Sequence, residues 1–161
     1  MKKPTVYERT IRATPINKVD WDCVSRHVEC QDLSLSFIRE YADYLNWHEI
    51  SNFKLTTEFI REFKDRLDWW LVCESGLNER KIKEFKNKFD AYDWQTLSDC
   101  SKLSKKFIMR NTELVNWDMI FWQEHLGKKF MIENQYRFSD DVDINWTFRD
   151  WGIDRDESSS M

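Results

Sequence analysis

The chain has 161 residues, enough for one domain with a buried core, and it is unusually aromatic, with 9 Trp. With only 3 Gly and 2 Pro it lacks the turn residues of an all-β fold, so the composition favours helices joined by short loops. A net charge of -4 argues against a mainly nucleic-acid-binding protein, and no apolar run approaches the roughly 20 residues of a membrane span. The irregularly spaced cysteines and the polar N-terminus predict a reduced, cytoplasmic setting.

Residues 1–18 carry no recurring motif and are predicted to form an N-terminal cover. After them an Asp-Trp or Asn-Trp pair recurs, which we call the Trp motif. Its six copies are Asp20-Trp21, Asn46-Trp47, Asp68-Trp69, Asp93-Trp94, Asn116-Trp117 and Asn145-Trp146. Because an Asp or Asn N-cap accepts a hydrogen bond from a first-turn amide, each pair predicts the start of a short helix. The residue three places after Trp is apolar in the first five copies, so we expect the indoles in the core.

A second motif, which we call the Phe-Ile motif, predicts a longer helix before the next Trp motif. Its copies are residues 33–38, 55–60 and 103–108, with weaker copies at 77–82 and 126–131. Ser34, Thr56, Asn78 and Ser104 stand where the N-cap of this helix belongs, and Gly127 fills that place in the last copy. In the third copy, Ala91 and Tyr92 are interpreted as a short insertion before Asp93-Trp94.

Alternating short and long helices predict an all-α fold of tandem helical hairpins. Since one hairpin cannot bury its aromatic face alone, about five copies in residues 19–146 are expected to stack into a small solenoid or compact helical bundle. We predict a single domain over residues 1–161. Residues 147–161 are expected to form a degenerate C-terminal cap and a mobile acidic tail.

The two motifs resemble the tandem Leu-Ser-x-x-Phe-Ile … Asp-Trp-x-x-Ile-Ser repeats found in proteins of large DNA viruses, bacteriophages and some bacteria. The resemblance covers roughly residues 20–146. The copies here are degenerate, since Lys81 stands in the Phe position, and Cys73 and Phe121 stand in the Ser position. The resemblance carries no catalytic residues. It implies a viral or phage protein that binds a host protein, such as a bacterial defence protein, in the host cytoplasm.

Three tryptophans outside the Trp motif are candidate partner-binding residues. Trp70 and Trp122 have no position in either motif, and Trp151 follows the last copy. Neighbouring residues of a helix lie about 100° apart, so Trp69 and Trp70 cannot both face one seam. An exposed Trp is a typical interface anchor. The alternative is that Trp70 packs against a neighbouring copy.

A basic cluster is the second candidate surface. Lys105, Lys106 and Arg110 follow one N-cap, and Lys128 and Lys129 take the equivalent places one copy later. In stacked copies such positions align into a ridge that could contact an acidic protein face or a nucleic-acid backbone. The alternative is a solvated helix face without a partner.

The sequence offers little support for catalysis or metal binding. Cys23, His27 and Cys30 have helical spacing, but a fourth zinc ligand is not evident. No catalytic signature such as a nucleophile elbow or a phosphate-binding glycine loop is found. We therefore predict a non-enzymatic binding protein without cofactor or metal. Nucleic-acid or nucleotide binding and a self-assembling structural role are the alternatives.

Overall fold

The computed structural model describes residues 4–27 and 33–142 of the protein. Within these ranges the chain forms α-helices and short 3-10 turns and contains no strand, so the predicted all-α class is confirmed. The described residues form eleven α-helices, which are α1 Val6–Ala13, α2 Trp21–Arg26, α3 Leu35–Glu40, α4 Trp47–Ser51, α5 Thr57–Phe63, α6 Trp69–Glu74, α7 Glu79–Phe85, α8 Ala91–Cys100, α9 Lys105–Arg110, α10 Trp117–Phe121 and α11 Gly127–Glu133. None of these described helices is long and apolar enough to cross a membrane.

The helices of the Phe-Ile motif begin where the sequence predicts. Ser34, Thr56, Asn78 and Ser104 have extended backbones and are the N-caps of α3, α5, α7 and α9. Each side chain accepts a hydrogen bond from the backbone amide three residues later. These bonds satisfy amides that have no partner within the helix.

The short helices of the Trp motif are capped in the same way in three copies. Asp20, Asn46 and Asn116 accept hydrogen bonds from the amides three residues later, at 2.9, 3.3 and 3.1 Å. Asp68 has the extended backbone of an N-cap but makes no capping bond with its side chain. The Asn145-Trp146 pair, Trp151 and the predicted tail lie outside the described residues.

The third copy differs from the prediction. Helix α8 begins at Ala91 with Asp90 as its N-cap, so Asp93 is not a cap and Ala91 and Tyr92 are not a loop insertion. Asp90 and Asp93 each accept a hydrogen bond from the other's backbone amide, at 2.9 and 3.0 Å. This reciprocal capping box stabilises an extra first turn and places Trp94 one turn inside the helix.

Gly127 is also not the predicted N-cap. A 3-10 turn, Glu124–Leu126, leads directly into α11, and Leu126 is the capping residue without a side-chain bond. Gly127 has a φ of 73°, a left-handed conformation that suits glycine because it has no Cβ.

The chain divides into two compact units, Met1–Ser75 and Gly76–Met161. In the first unit α2 packs against α4 and α4 against α6. Helix α1 is bound to α3, because the buried Glu8 carboxylate accepts from the Ser34 amide at 2.5 Å and Arg12 pairs with Glu40 at 2.7 Å. Buried side chains of this unit include Ile11, Val24, Phe37, Ile38, Ile50, Phe59, Ile60, Phe63 and Val72.

In the second unit α8 packs against α10. Most of its buried side chains come from the same motif positions as in the first unit, and Trp94 is buried in addition. The buried side chains include Ile82, Phe85, Trp94, Leu97, Phe107, Ile108, Ile120, Phe121, Phe130 and Met131. Glu79 accepts a hydrogen bond from the Ser104 amide at 2.8 Å, as Glu8 does from Ser34 in the first unit. The predicted single domain stays a prediction.

Candidate interaction surfaces

Four motif tryptophans are fixed by the same hydrogen bond. The indole N–H donates to the backbone carbonyl five residues earlier, at 3.2 Å for Trp21, 2.7 Å for Trp47, 3.0 Å for Trp69 and 3.0 Å for Trp117. Among the five described motif tryptophans, Trp94 is 4% exposed and lies in the core as expected, whereas these four rings are half-buried and lie at its edge. A half-buried indole with a bonded N–H lies at the edge of the core and contributes little free polar surface.

Three of these rings are covered by a residue from the segment after the next Phe-Ile helix. The Tyr44 ring stacks on Trp21 with centroids 5.2 Å apart. The Arg66 guanidinium lies 5.8 Å from the centroid of Trp47, and that of Arg137 lies 4.9 Å from Trp117. The covering residue follows the motif Phe by seven positions in each case.

A buried serine joins successive Trp motifs. In three copies its hydroxyl donates to the carbonyl of the motif Trp, from Ser25 at 2.7 Å, Ser51 at 2.6 Å and Ser98 at 2.7 Å. The same oxygen accepts a hydrogen bond from the backbone amide of the next Asn46, Asp68 or Asn116. All three serines are fully buried, so each hydroxyl satisfies two backbone groups that water does not reach readily.

The two non-motif tryptophans contrast with the motif tryptophans. Trp70 in α6 is 48% exposed and Trp122 at the end of α10 is 54% exposed. Trp122 contacts the Phe121 ring edge-on at 5.4 Å. Neither indole N–H has a hydrogen-bond partner within the described ranges. In the described part of the chain, each therefore presents apolar ring surface and an unused donor to solvent, while its predicted role as an interface anchor stays a prediction.

The predicted basic cluster lies on α9. Lys105, Lys106 and Arg110 are exposed, and among the residues that the structure describes Lys106 and Arg110 form no ion pair. The Lys105 ammonium lies 5.6 Å from the centroid of Phe130 on α11. The structure thus brings this part of the cluster beside α11.

A shallow groove of about 450 Å³, which we call the α9–α11 groove, borders this cluster. It is lined by Lys105, Lys106, Met109, Phe130, Glu133, Asn134 and Tyr136. Tyr136 is 72% exposed. Sequence reasoning missed Met109 and Tyr136, because it did not predict which side chains meet across the two helices. Lys129, which belongs to the predicted basic ridge one copy later, forms an ion pair with Glu133, with Nζ 4.0 Å from Oε1.

A second groove, of about 440 Å³, opens beside the buried Trp94 side chain, and we call it the Trp94 groove. It is lined by Lys86, Phe89, Asp90, Ala91, Trp94, Glu113, Leu114, Val115 and Asn116. The sequence carried one signal that could have found it. The covering residues Tyr44, Arg66 and Arg137 each follow the Phe of a Phe-Ile motif by seven residues. In the copy that contains Phe107, this position is occupied by Leu114.

Of the candidate metal ligands, the structure describes Cys23 and His27. Cys30 falls outside the described ranges, and no group of three potential ligands occurs among the described residues.

The comparison of this chain with protein-family models, curated proteins and solved structures found no match.

Proposed function

We propose that this chain is a non-enzymatic, protein-binding scaffold of tandem helical repeats. The observation that carries the proposal is the difference between the two classes of indole. Four motif indoles donate to carbonyls, whereas Trp70 and Trp122 are about half exposed and their N–H groups find no acceptor among the described residues. Large rigid aromatic side chains with a polar edge are the residues that most often anchor protein interfaces.

The recurring bonds support a repeat architecture within this proposal. The serine link joins successive copies within each unit, twice in the first unit and once in the second, and this recurrence is what a helical-repeat stack would require. The finer proposal follows the resemblance of the motifs to viral and phage repeats: the chain is an inhibitor or adaptor that binds a bacterial defence protein in the host cytoplasm.

The test is binding by variants that leave the fold intact. The partner is captured from a bacterial extract with the wild-type chain, identified by mass spectrometry and purified. Calorimetry then compares wild type with Trp70→Ala and Trp122→Ala. An anchor of at least ~2 kcal/mol predicts that one of these changes weakens binding roughly 30-fold.

The control is Tyr92→Ala, which removes another exposed ring, 76% exposed, outside both grooves. We expect this variant to bind like wild type. Unchanged affinity in both Trp variants, with normal circular dichroism, would contradict the proposed anchors.

A second candidate function, nucleic-acid binding, is favoured by Lys106, which lines the α9–α11 groove with the exposed Tyr136 and, like Arg110, forms no ion pair among the described residues. Cations next to an aromatic ring suit single strands, which bind through phosphates and base stacking. This candidate predicts affinity for an oligonucleotide that falls steeply with salt and is lost in Lys106→Ala. No binding at low salt would exclude it.

A further inference from the structure

The arginine of the last described copy has no carboxylate partner among the described residues. In the first unit Arg66 donates to Asp43 Oδ1 at 2.6 Å. Arg137 follows its motif Phe by the same seven residues, and its guanidinium lies 4.9 Å from the centroid of Trp117 and 4.8 Å from that of Tyr136. It forms no ion pair with a described residue, and its buried Nε has no acceptor there. Two aromatic rings therefore hold a cation whose charge no described side chain neutralises.

Two more cations of this kind line the α9–α11 groove. Lys105 and Lys106 lie in the first turn of α9, and neither forms an ion pair within the described ranges. Glu133 is the one acidic residue among the described lining residues, and its Oε1 lies 4.0 Å from Lys129 Nζ. Two ammonium groups and one carboxylate leave the lining with one net positive charge, and Arg137 adds another next to it. This local charge is opposite in sign to the net charge of -4 on the whole chain.

The groove also offers apolar surface to a ligand. Met109 lies one turn after Lys105 and Lys106, so the three side chains share one face of α9, and Met109 is 45% exposed. Tyr136 also lines the groove and is 72% exposed. A ligand that uses the whole groove must therefore combine anionic groups with apolar side chains. A peptide carries both, whereas a nucleic-acid backbone has no aliphatic group to place on Met109 and is repelled by the net negative chain.

We propose that the α9–α11 groove binds a peptide segment of a partner protein that carries acidic and apolar residues in close succession. Its carboxylates accept hydrogen bonds from the ammonium groups of Lys105 and Lys106, and an apolar side chain packs on Met109. Arg137 raises the positive potential at the same place, which attracts and orients the acidic segment. This inference rests on the proposed protein-binding function and adds the chemistry of the segment recognised.

The test titrates the ¹⁵N-labelled full chain with an acetylated hexapeptide of alternating glutamate and leucine, at low ionic strength. The matched probe replaces each glutamate by glutamine, which keeps the shape and removes the charge. NMR follows the backbone amides of Met109 and Tyr136 in the groove and of Lys54 in the first unit. We expect the glutamate peptide to shift the two groove amides saturably, about tenfold more tightly than the glutamine peptide, and to leave Lys54 unmoved. Added salt should weaken the binding, because the cations are exposed.

Variants of exposed residues separate the charge from the apolar contact. Lys106→Ala should weaken binding of the glutamate peptide about fivefold. Lys54→Ala is the matched control, since it removes the same charge from an exposed position outside the groove, and it should bind like wild type. Met109→Ala should weaken binding about threefold and leave the affinity for a hexapeptide of glutamate alone unchanged. All three variants should keep the circular dichroism of wild type, because each changed side chain is exposed.

Four results would overturn the proposal: no saturable shift at the groove amides, equal responses to the glutamate and glutamine peptides, undiminished binding in Lys106→Ala, or an equal loss in Lys54→Ala. Tighter binding of an oligothymidylate with the same number of charges would also overturn it, because the groove would then be a nucleic-acid site. The titration involves neither Trp70, Trp122 nor a captured protein. Its failure is therefore distinguishable from failure of the proposed function.

Discussion

Removing the hydroxyl of Ser98 tests the link between successive Trp motifs. Ser98 is fully buried, donates to the Trp94 carbonyl at 2.7 Å and accepts from the Asn116 amide at 2.9 Å. Ser98→Ala leaves that amide without a partner, which costs about 1–3 kcal/mol. For a chain of 161 residues, ~2 kcal/mol corresponds to a fall in Tm of about 4–8 °C.

The assay is urea unfolding followed by circular dichroism at a fixed protein concentration. The free energy of unfolding should fall, while its slope against urea concentration (the m value) should stay unchanged because unfolding exposes the same surface. Thr96→Ala in the same helix is the control, because the Thr96 hydroxyl donates to the Tyr92 carbonyl at 3.0 Å in an exposed contact. A loss below about 0.5 kcal/mol for Ser98→Ala, equal to that of the control, would refute the reasoning.

Two further predictions concern the capping interactions. Ser104→Ala removes the 3.2 Å hydrogen bond that the Phe107 amide donates to the Ser104 hydroxyl, and it should lower the free energy of unfolding by about 1 kcal/mol in urea titrations. Burial raises the pKa of Glu8, but hydrogen bonds from Ser34 and Thr5 outweigh it and the net pKa is lowered. A lowered carboxyl pKa stabilises the fold above the unfolded value of about 4.3, and this stabilisation is lost as the pH falls further. In Glu8→Gln the free energy of unfolding should therefore decrease less than in wild type as the pH is lowered. A pH dependence identical to that of wild type would contradict this.

The local part of the fold could be predicted because it depends on neighbouring residues. A side-chain oxygen three residues before an amide is enough to start a helix, so Ser34, Thr56, Asn78 and Ser104 were identified correctly. The start of α8 was predicted incorrectly, because Asp90 and Asp93 are both residue types that can cap a helix. The reciprocal bonds between the two residues decide in favour of Asp90.

The candidate surfaces were predictable only in part. The adjacency of Trp69 and Trp70 correctly indicated that one of them faces away from the core, and Trp70 is exposed. The grooves could not be predicted in the same way, because they join side chains far apart in the chain. Asp90 and Leu114, for example, meet only when the segment before α8 lies against the loop before α10.

Exchange of the indole protons with deuterium, followed by NMR, tests most directly whether the tryptophans fall into a structural and a binding class. The account predicts slow exchange for the hydrogen-bonded indoles of Trp21, Trp47, Trp69 and Trp117, and fast exchange for Trp70 and Trp122. Protection of Trp70 and Trp122 equal to that of the four motif indoles would contradict it.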